Sequence, residues 1–136
     1  HDLPLPSCVL NIGGVSNITY WDGNNLIGFD TGPGNALMND YMLNKFNENF
    51  DKNGKIASKG TPIKSELEKF LKHDFFKTNP PKSLDRNEFS FQYSELIKKK
   101  ISVNDIMATL AELTIETIAS SCNPSVQISL IDWWWN

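Results

Sequence analysis

The stretch Asn11–Asn35, NIGGVSNITYWDGNNLIGFDTGPGN, decides the fold, because short apolar runs alternate with glycine and asparagine turns before the period changes. Three strands are predicted around it. Cys8–Ile12 is almost continuously apolar, Val15–Trp21 alternates apolar and polar side chains, and Leu26–Phe29 is apolar apart from Gly28. Gly13-Gly14 reads as a two-residue hairpin connection, since primed turns need positive φ and glycine reaches it without a Cβ clash. Asp22-Gly23-Asn24-Asn25 closes the next turn, which makes the three strands an antiparallel meander. Asp30-Thr31-Gly32-Pro33-Gly34-Asn35 then reads as a loop, after which Leu37, Met38, Tyr41, Met42 and Phe46 recur at helical spacing.

Two features of this stretch carry chemistry. A glycine hairpin lets backbone N–H groups come within reach of a phosphate oxygen, although a Gly-Gly turn alone is more often only a turn. Asp30 lies between a strand end and a helix start, where rigid backbone holds a carboxylate that still faces a cleft, as a general base requires. The same position suits an Asp that caps its loop by accepting from Thr31 or a glycine N–H.

Further along, Asp51-Lys52-Asn53-Gly54-Lys55 is a polar turn. Its spacing fails as a calcium loop, because Lys55 stands where an oxygen ligand is needed. Thr61-Pro62 reads as an N-cap followed by proline at the first helical position, with Ile63, Leu67, Phe70 and Leu71 as the apolar stripe. From His73 to Ser90 the period is lost, and Pro80-Pro81 marks an exposed, semi-rigid loop. Within it Lys82 and Arg86 either orient a ligand carboxylate or are solvated charges, and His73 reads as a surface or helix-end residue. Ser102, with Asp105 three residues on, caps the longest helix, which buries Ile106, Met107, Leu110, Leu113 and Ile118 and runs to about Ser121. Asn123-Pro124 ends it and Val126–Ile131 reads as a returning strand, so the class is α/β with helices against a sheet.

The composition fits one core: 136 residues, 40% hydrophobic, with a net charge of −3. That balance gives no support for a nucleic-acid partner, and Lys98-Lys99-Lys100 reads as a solvated helix end. Cys8 and Cys122 lie far apart without CxxC or Cys/His spacing, so neither a disulfide framework nor a metal site is expected, and a reducing cytoplasmic compartment fits. No apolar run approaches the roughly 20 residues that span a bilayer, and no signal peptide is visible, so no membrane partner is expected. Starting at His1, the chain is expected to be a fragment.

Asn11-Ile12-Gly13-Gly14-Val15-Ser16-Asn17-Ile18-Thr19, then Gly28-Phe29-Asp30-Thr31-Gly32-Pro33-Gly34-Asn35, and later Pro80-Pro81-Lys82-Ser83 resemble the anhydro-N-acetylmuramic acid kinase family of peptidoglycan recycling. The resemblance implies a ribonuclease-H-like half of an actin/sugar-kinase (ASKHA) fold, truncated. Residues 1–136 would form part of the second domain, with the first domain and the C-terminal adenosine-binding part absent. It implies ATP-dependent phosphorylation at O6 of 1,6-anhydro-N-acetylmuramic acid, with water opening the anhydro ring, to give N-acetylmuramic acid 6-phosphate. ATP and Mg²⁺ are the implied cofactors. Asp30 matches the carboxylate that activates the water, and Gly13 and Gly14 the N–H donors to the phosphates. Asn11, Asn17, Thr31, Gly32, Asn35 and Lys82 are the implied substrate-binding residues, with Ser16 flanking the turn. With half a cleft, this chain alone is expected to be inactive, and a homodimer is left open for the intact protein.

In two places the chain departs from the family pattern. Leu84-Asp85 replaces the usual Thr-Gly of Pro-Pro-Lys-Ser-Thr-Gly-Arg, and Trp133-Trp134-Trp135 stands where the family has three glycines. Tryptophan is encoded only by TGG, so a shift of one base turns that run into glycine codons. A frameshifted, inactive kinase remnant therefore stays open, as does a non-enzymatic binding module. A truncated sheet would leave Leu110, Leu113 and Ile128 poorly covered.

Overall fold

The computed structural model describes residues 5–122 and the backbone of residues 127–133. The expected meander is present: β1 (Ser7–Ile12), β2 (Val15–Trp21) and β3 (Leu26–Pro33) pair antiparallel. The returning strand β4 (Gln127–Trp133) lies parallel to β1, giving the sheet order β3-β2-β1-β4. Alternation does what the pleat requires. Cys8, Leu10, Ile12, Ser16 and Ile18 are buried on one face, whereas Val9, Asn11, Asn17 and Thr19 are half-buried on the other. The Asp22 carboxylate closes the β2–β3 turn by accepting from the N–H of Asn24 at 2.8 Å and of Asn25 at 2.6 Å.

The first hairpin differs from expectation. Ile12 pairs with Ser16, so the turn spans Gly13, Gly14 and Val15, and the glycines with positive φ are Gly23, Gly32 and Gly54 rather than this pair. A wider turn does not demand the left-handed geometry of a two-residue primed turn.

Four helices follow: α1 (Ala36–Phe46), α2 (Lys64–Leu71), α3 (Ser90–Ile97) and α4 (Val103–Ser121). The cap of α4 is as expected, with Ser102 Oγ accepting from Asp105 N at 3.2 Å. The polar turn after α1 is closed by the buried Asp51 carboxylate, which accepts from the N–H groups of Ile56 and Ala57. Helix α2 begins two residues later than the Thr61-Pro62 signal suggests. Thr61 N donates to Asp105 Oδ1 at 2.8 Å and Ile63 N to Thr109 Oγ1 at 2.9 Å, which keeps that connector extended along α4. Helix α3 was marked in the sequence only by its lysine end. Its Phe91 is 71% exposed and disguises the true stripe of Phe89, Tyr93 and Leu96. His73 does sit at a helix end: its Nδ1 accepts from Phe75 N at 3.0 Å, capping a 3-10 turn, and its ring packs on Phe89.

The main core lies between the helices, where Tyr41, Phe70, Phe89, Leu96, Ile106 and Met107 are fully buried. A smaller cluster of Cys8, Leu10, Ile12 and Ile18 sits between the sheet and the end of α4. Leu110 and Leu113 are 2% and 1% exposed, against the expectation of poor cover, because α1 and α2 both pack on α4. The side chain of Ile128 and the Asn123-Pro124 helix stop lie outside the described residues.

The lysine run is not wholly solvated. Lys99 Nζ lies 2.7 Å from Glu66 Oε2, and Glu66 is only 8% exposed. The Lys99 hydrogen bonds, aided by Lys69, hold the Glu66 carboxyl below the usual carboxylate range. A carboxyl depressed on folding stabilises the chain above its unfolded pKa, and that contribution disappears as pH falls through its folded value. Thermal midpoints recorded from about pH 6 to pH 3 should therefore fall less steeply for Glu66→Gln than for the wild type. Parallel curves would show that the pair contributes nothing.

Candidate functional site

Strand β3 does not stop at Phe29 but continues through Asp30-Thr31-Gly32-Pro33, so the predicted loop is mostly strand. The register explains its shape. Asn17 faces Asp30 and Ser16 faces Gly32, which leaves Thr31 as the extra residue of a β-bulge. Beyond the bulge, Asp30, Asn17 and Asn11 stand in one row across three strands, each opposite the next, and Asn11 in turn pairs with Asp132 of β4. The bulge turns Thr31 inward instead: it is 1% exposed, and its hydroxyl donates to Ser16 O at 3.3 Å. Gly32 also serves packing, since a Cβ there would lie 2.8 Å from Thr117 Oγ1 of α4.

Asp30 accepts neither from Thr31 nor from a glycine. Its Oδ2 accepts from Leu84 N at 2.7 Å, while its own N–H donates to Lys82 O at 2.9 Å. These two bonds seat the Pro80-Pro81 segment along the outer edge of β3. The Leu84-Asp85 substitution fits this arrangement: the Leu84 side chain packs against the helical core, and Asp85 Oδ1 accepts from Asn87 N at 2.7 Å to start the next turn. The Lys82 ammonium donates to Phe75 O at 3.1 Å and sits 4.4 Å above the Phe75 ring, and burial pushes its pKa down. It borders a cavity of about 340 Å³ together with Phe29, Phe76, Thr78 and Asn79.

The glycine turn folds onto the start of α1. Gly13 O accepts from Asn35 N at 2.8 Å, and Gly14 O accepts from Gly34 N at 2.9 Å and Ala36 N at 3.2 Å. These bonds engage the carbonyls of the two glycines, whose own amides donate in no turn or loop bond among the described residues. Asn35 is 4% exposed, and its Oδ1, like Ser16 Oγ, is buried without a partner among the described residues. Arg86 grips Asp40 with its two terminal guanidinium nitrogens, at 2.9 and 3.2 Å, and its Nε lies 4.0 Å from where a Gly14 Cβ would be. Asp40 was not singled out in the sequence, although its place one helical turn after Ala36 put it on the face toward Gly14.

Helix α4 backs the site. Thr114 Oγ1 donates to Gly34 O at 2.8 Å from a position only 4% exposed. Thr114→Val keeps the shape and removes the donor, and it is expected to cost about 1–3 kcal/mol in urea unfolding. No measurable loss would mean that Gly34 O needs no partner.

Among the described residues no group of three or more His, Cys, Asp or Glu is arranged to hold a metal ion, and no helix is long and apolar enough to cross a membrane.

Comparison with known proteins gives one family. The family model described as Anhydro-N-acetylmuramic acid kinase matches residues 1–129. Curated proteins of that name from Nitrobacter winogradskyi and Rhodopseudomonas palustris strain HaA2 are similar to the chain. The first is 55% identical over 86 residues, covering 62% of this chain and 24% of the relative. The second is 46% identical over 116 residues, covering 85% and 30%. A third, from Paramagnetospirillum magneticum, is 42% identical over 118 residues, covering 86% and 33%. The chain thus spans about a third or less of the length of these relatives. With nearly all of its length matched, the chain belongs to the anhydro-N-acetylmuramic acid kinase family.

Proposed function

We propose that this chain supplies one wall of the active site of an ATP-dependent sugar kinase acting on 1,6-anhydro-N-acetylmuramic acid in peptidoglycan recycling. The observation that carries the reading is the juxtaposition of Asp30, Asn17 and Asn11 in one row, with the 82–84 segment docked on Asp30 and the Gly13–Gly14 turn close by. Family membership supports the choice of reaction. The sheet, a three-strand meander with a fourth strand parallel to the first, supports assignment to the ribonuclease-H-like second half of an actin/sugar-kinase fold, with residues 1–136 as part of that domain.

In the proposed reaction water attacks C1 of the anhydro sugar while the bond from C1 to O6 breaks and O6 takes the γ-phosphoryl group of ATP. The products are N-acetylmuramic acid 6-phosphate and ADP. Asp30 accepts the proton of that water. A carboxylate has about four lone-pair positions on its two oxygens, so the bond from Leu84 N to Oδ2 orients the group and leaves Oδ1 to act as base. Asn17 and Asn11 would hydrogen-bond sugar hydroxyl or amide groups, and Lys82 is joined to the row through its carbonyl, which accepts from Asp30 N. The carbonyls of Gly13 and Gly14 are tied to α1, which fixes the turn with its amides available to phosphate oxygens. The buried, unpartnered Asn35 Oδ1 and Ser16 Oγ beside this turn are polar atoms that a bound ligand or water would satisfy. Mg²⁺, when bound with ATP, neutralises the phosphate charge. Among the described residues Asp30 is the carboxylate of this row, which suits an ion that relies largely on substrate phosphates and water. The reading implies a cytoplasmic enzyme, where ATP is available.

The test is a chimera in which residues 7–122 replace the matching segment of the Rhodopseudomonas palustris kinase. ATP-dependent formation of the 6-phosphate sugar is expected from the chimera, and none from this chain alone. A folded chimera that binds ATP but makes no product would overturn the reading.

A further inference from the structure

Cys8 and Cys122 have no part in the proposed reaction and no sequence pattern joining them, yet the fold brings them together. Cys8 is on the core-facing side of β1 and only 2% exposed, and Cys122 follows the last turn of α4, half-buried, packed on the cluster that holds Cys8. Both are free thiols that meet in the same cluster. They line one apolar pocket of about 190 Å³, walled also by Ile18, Ile27, Phe29 and Pro80. The pocket gives a small oxidant access to sulfurs that the rest of the core shields.

We propose that Cys8 and Cys122 form a dithiol site for reversible oxidation by hydrogen peroxide, closing a disulfide between β1 and the C-terminal end of α4. Cys122, the more exposed, attacks one peroxide oxygen as thiolate, giving a sulfenic acid while the other oxygen leaves as water. The Cys8 thiolate then attacks that sulfur and expels the second water. The two sulfurs together give up two electrons and two protons, and peroxide is reduced to two waters.

The rate should depend on pH in a defined direction. Burial pushes both thiols above their ordinary range, so both are protonated near neutrality and the site stays reduced under mild conditions. Oxidation therefore accelerates roughly tenfold per pH unit below the thiol pKa. Among the described residues that line the pocket, Tyr20 is the one titratable side chain besides the thiols, and none is charged.

The experiment treats the purified chain with hydrogen peroxide in native buffer, then denatures it, alkylates it with iodoacetamide and measures intact mass. The expected product is a monomer two hydrogens lighter than the reduced chain, with no alkylated cysteine, that regains two alkylations after dithiothreitol. Cys8→Ser and Cys122→Ser should each prevent its formation, and the wild-type rate should rise from pH 7 to pH 9. The proposal is overturned if both thiols stay alkylatable after a small reference dithiol has oxidised fully. It is equally overturned if the bridge forms only between chains, if it appears only in urea, or if Cys122 stops at the sulfinic acid.

Discussion

Asp30→Asn is expected to reduce phosphotransfer by about 10²–10⁴-fold, the usual contribution of a general base, when introduced into the active chimera. The structure explains why this loss should come without unfolding. Asn keeps a carbonyl oxygen that can accept from Leu84 N, so the 82–84 segment remains docked while the charge and the basicity are lost. Asp30→Ala tests the other half of the argument. It also frees Leu84 N, so it should loosen the docked segment and lower the thermal midpoint, which Asp30→Asn should leave nearly unchanged. If the Asn variant kept activity within about threefold of wild type, Asp30 would be a docking residue only.

A large stability effect is expected at Gly34. A methyl there would fall onto the Gly13 carbonyl oxygen and lie 2.9 Å from Ser16 Oγ, and backbone cannot swing aside as a flexible side chain can. Gly34→Ala is therefore expected to cost about 3 kcal/mol or more in urea unfolding, as overpacking in a closely built region does. Gly14→Ala is the control. Its nearest neighbour would be Ala36 Cβ at an ordinary 3.8 Å, and Gly14 is not among the positive-φ glycines, so a cost below about 1 kcal/mol is expected. Equal costs at the two positions would contradict the close seating of the glycine turn on the Gly34-Asn35 corner. The pair of results would also separate two reasons for glycine: conformational freedom, which the sequence suggested for Gly13-Gly14, and close backbone approach, which the fold demands of Gly34.

What the sequence by itself determined were features with a local cause. The meander followed from apolar alternation and turn residues within short spans, the cap of α4 from Ser102 and Asp105 three residues apart, and α1 from its period. The family followed from strings around Gly13-Gly14 and Asp30, and the match over residues 1–129 bears it out. Helix α3 was legible in principle from Phe89, Tyr93 and Leu96, but Phe91 and the preceding proline pair masked the period.

Only the tertiary structure decided what each candidate residue touches. Asp30 meets Leu84, Arg86 meets Asp40, Thr114 meets Gly34 and Cys8 meets Cys122, each pair drawn from distant parts of the chain. It also moved Thr31 and Gly32 from an expected loop into a bulged strand packed on α4, leaving Asn11, Asn17 and Asp30 together in one row. The physical reason is common to all of these. Periodicity and turn chemistry act over a few residues, so they leave a pattern in the sequence. A hydrogen bond or close contact between elements depends on register and on helix placement, which are set by the packing of the whole core.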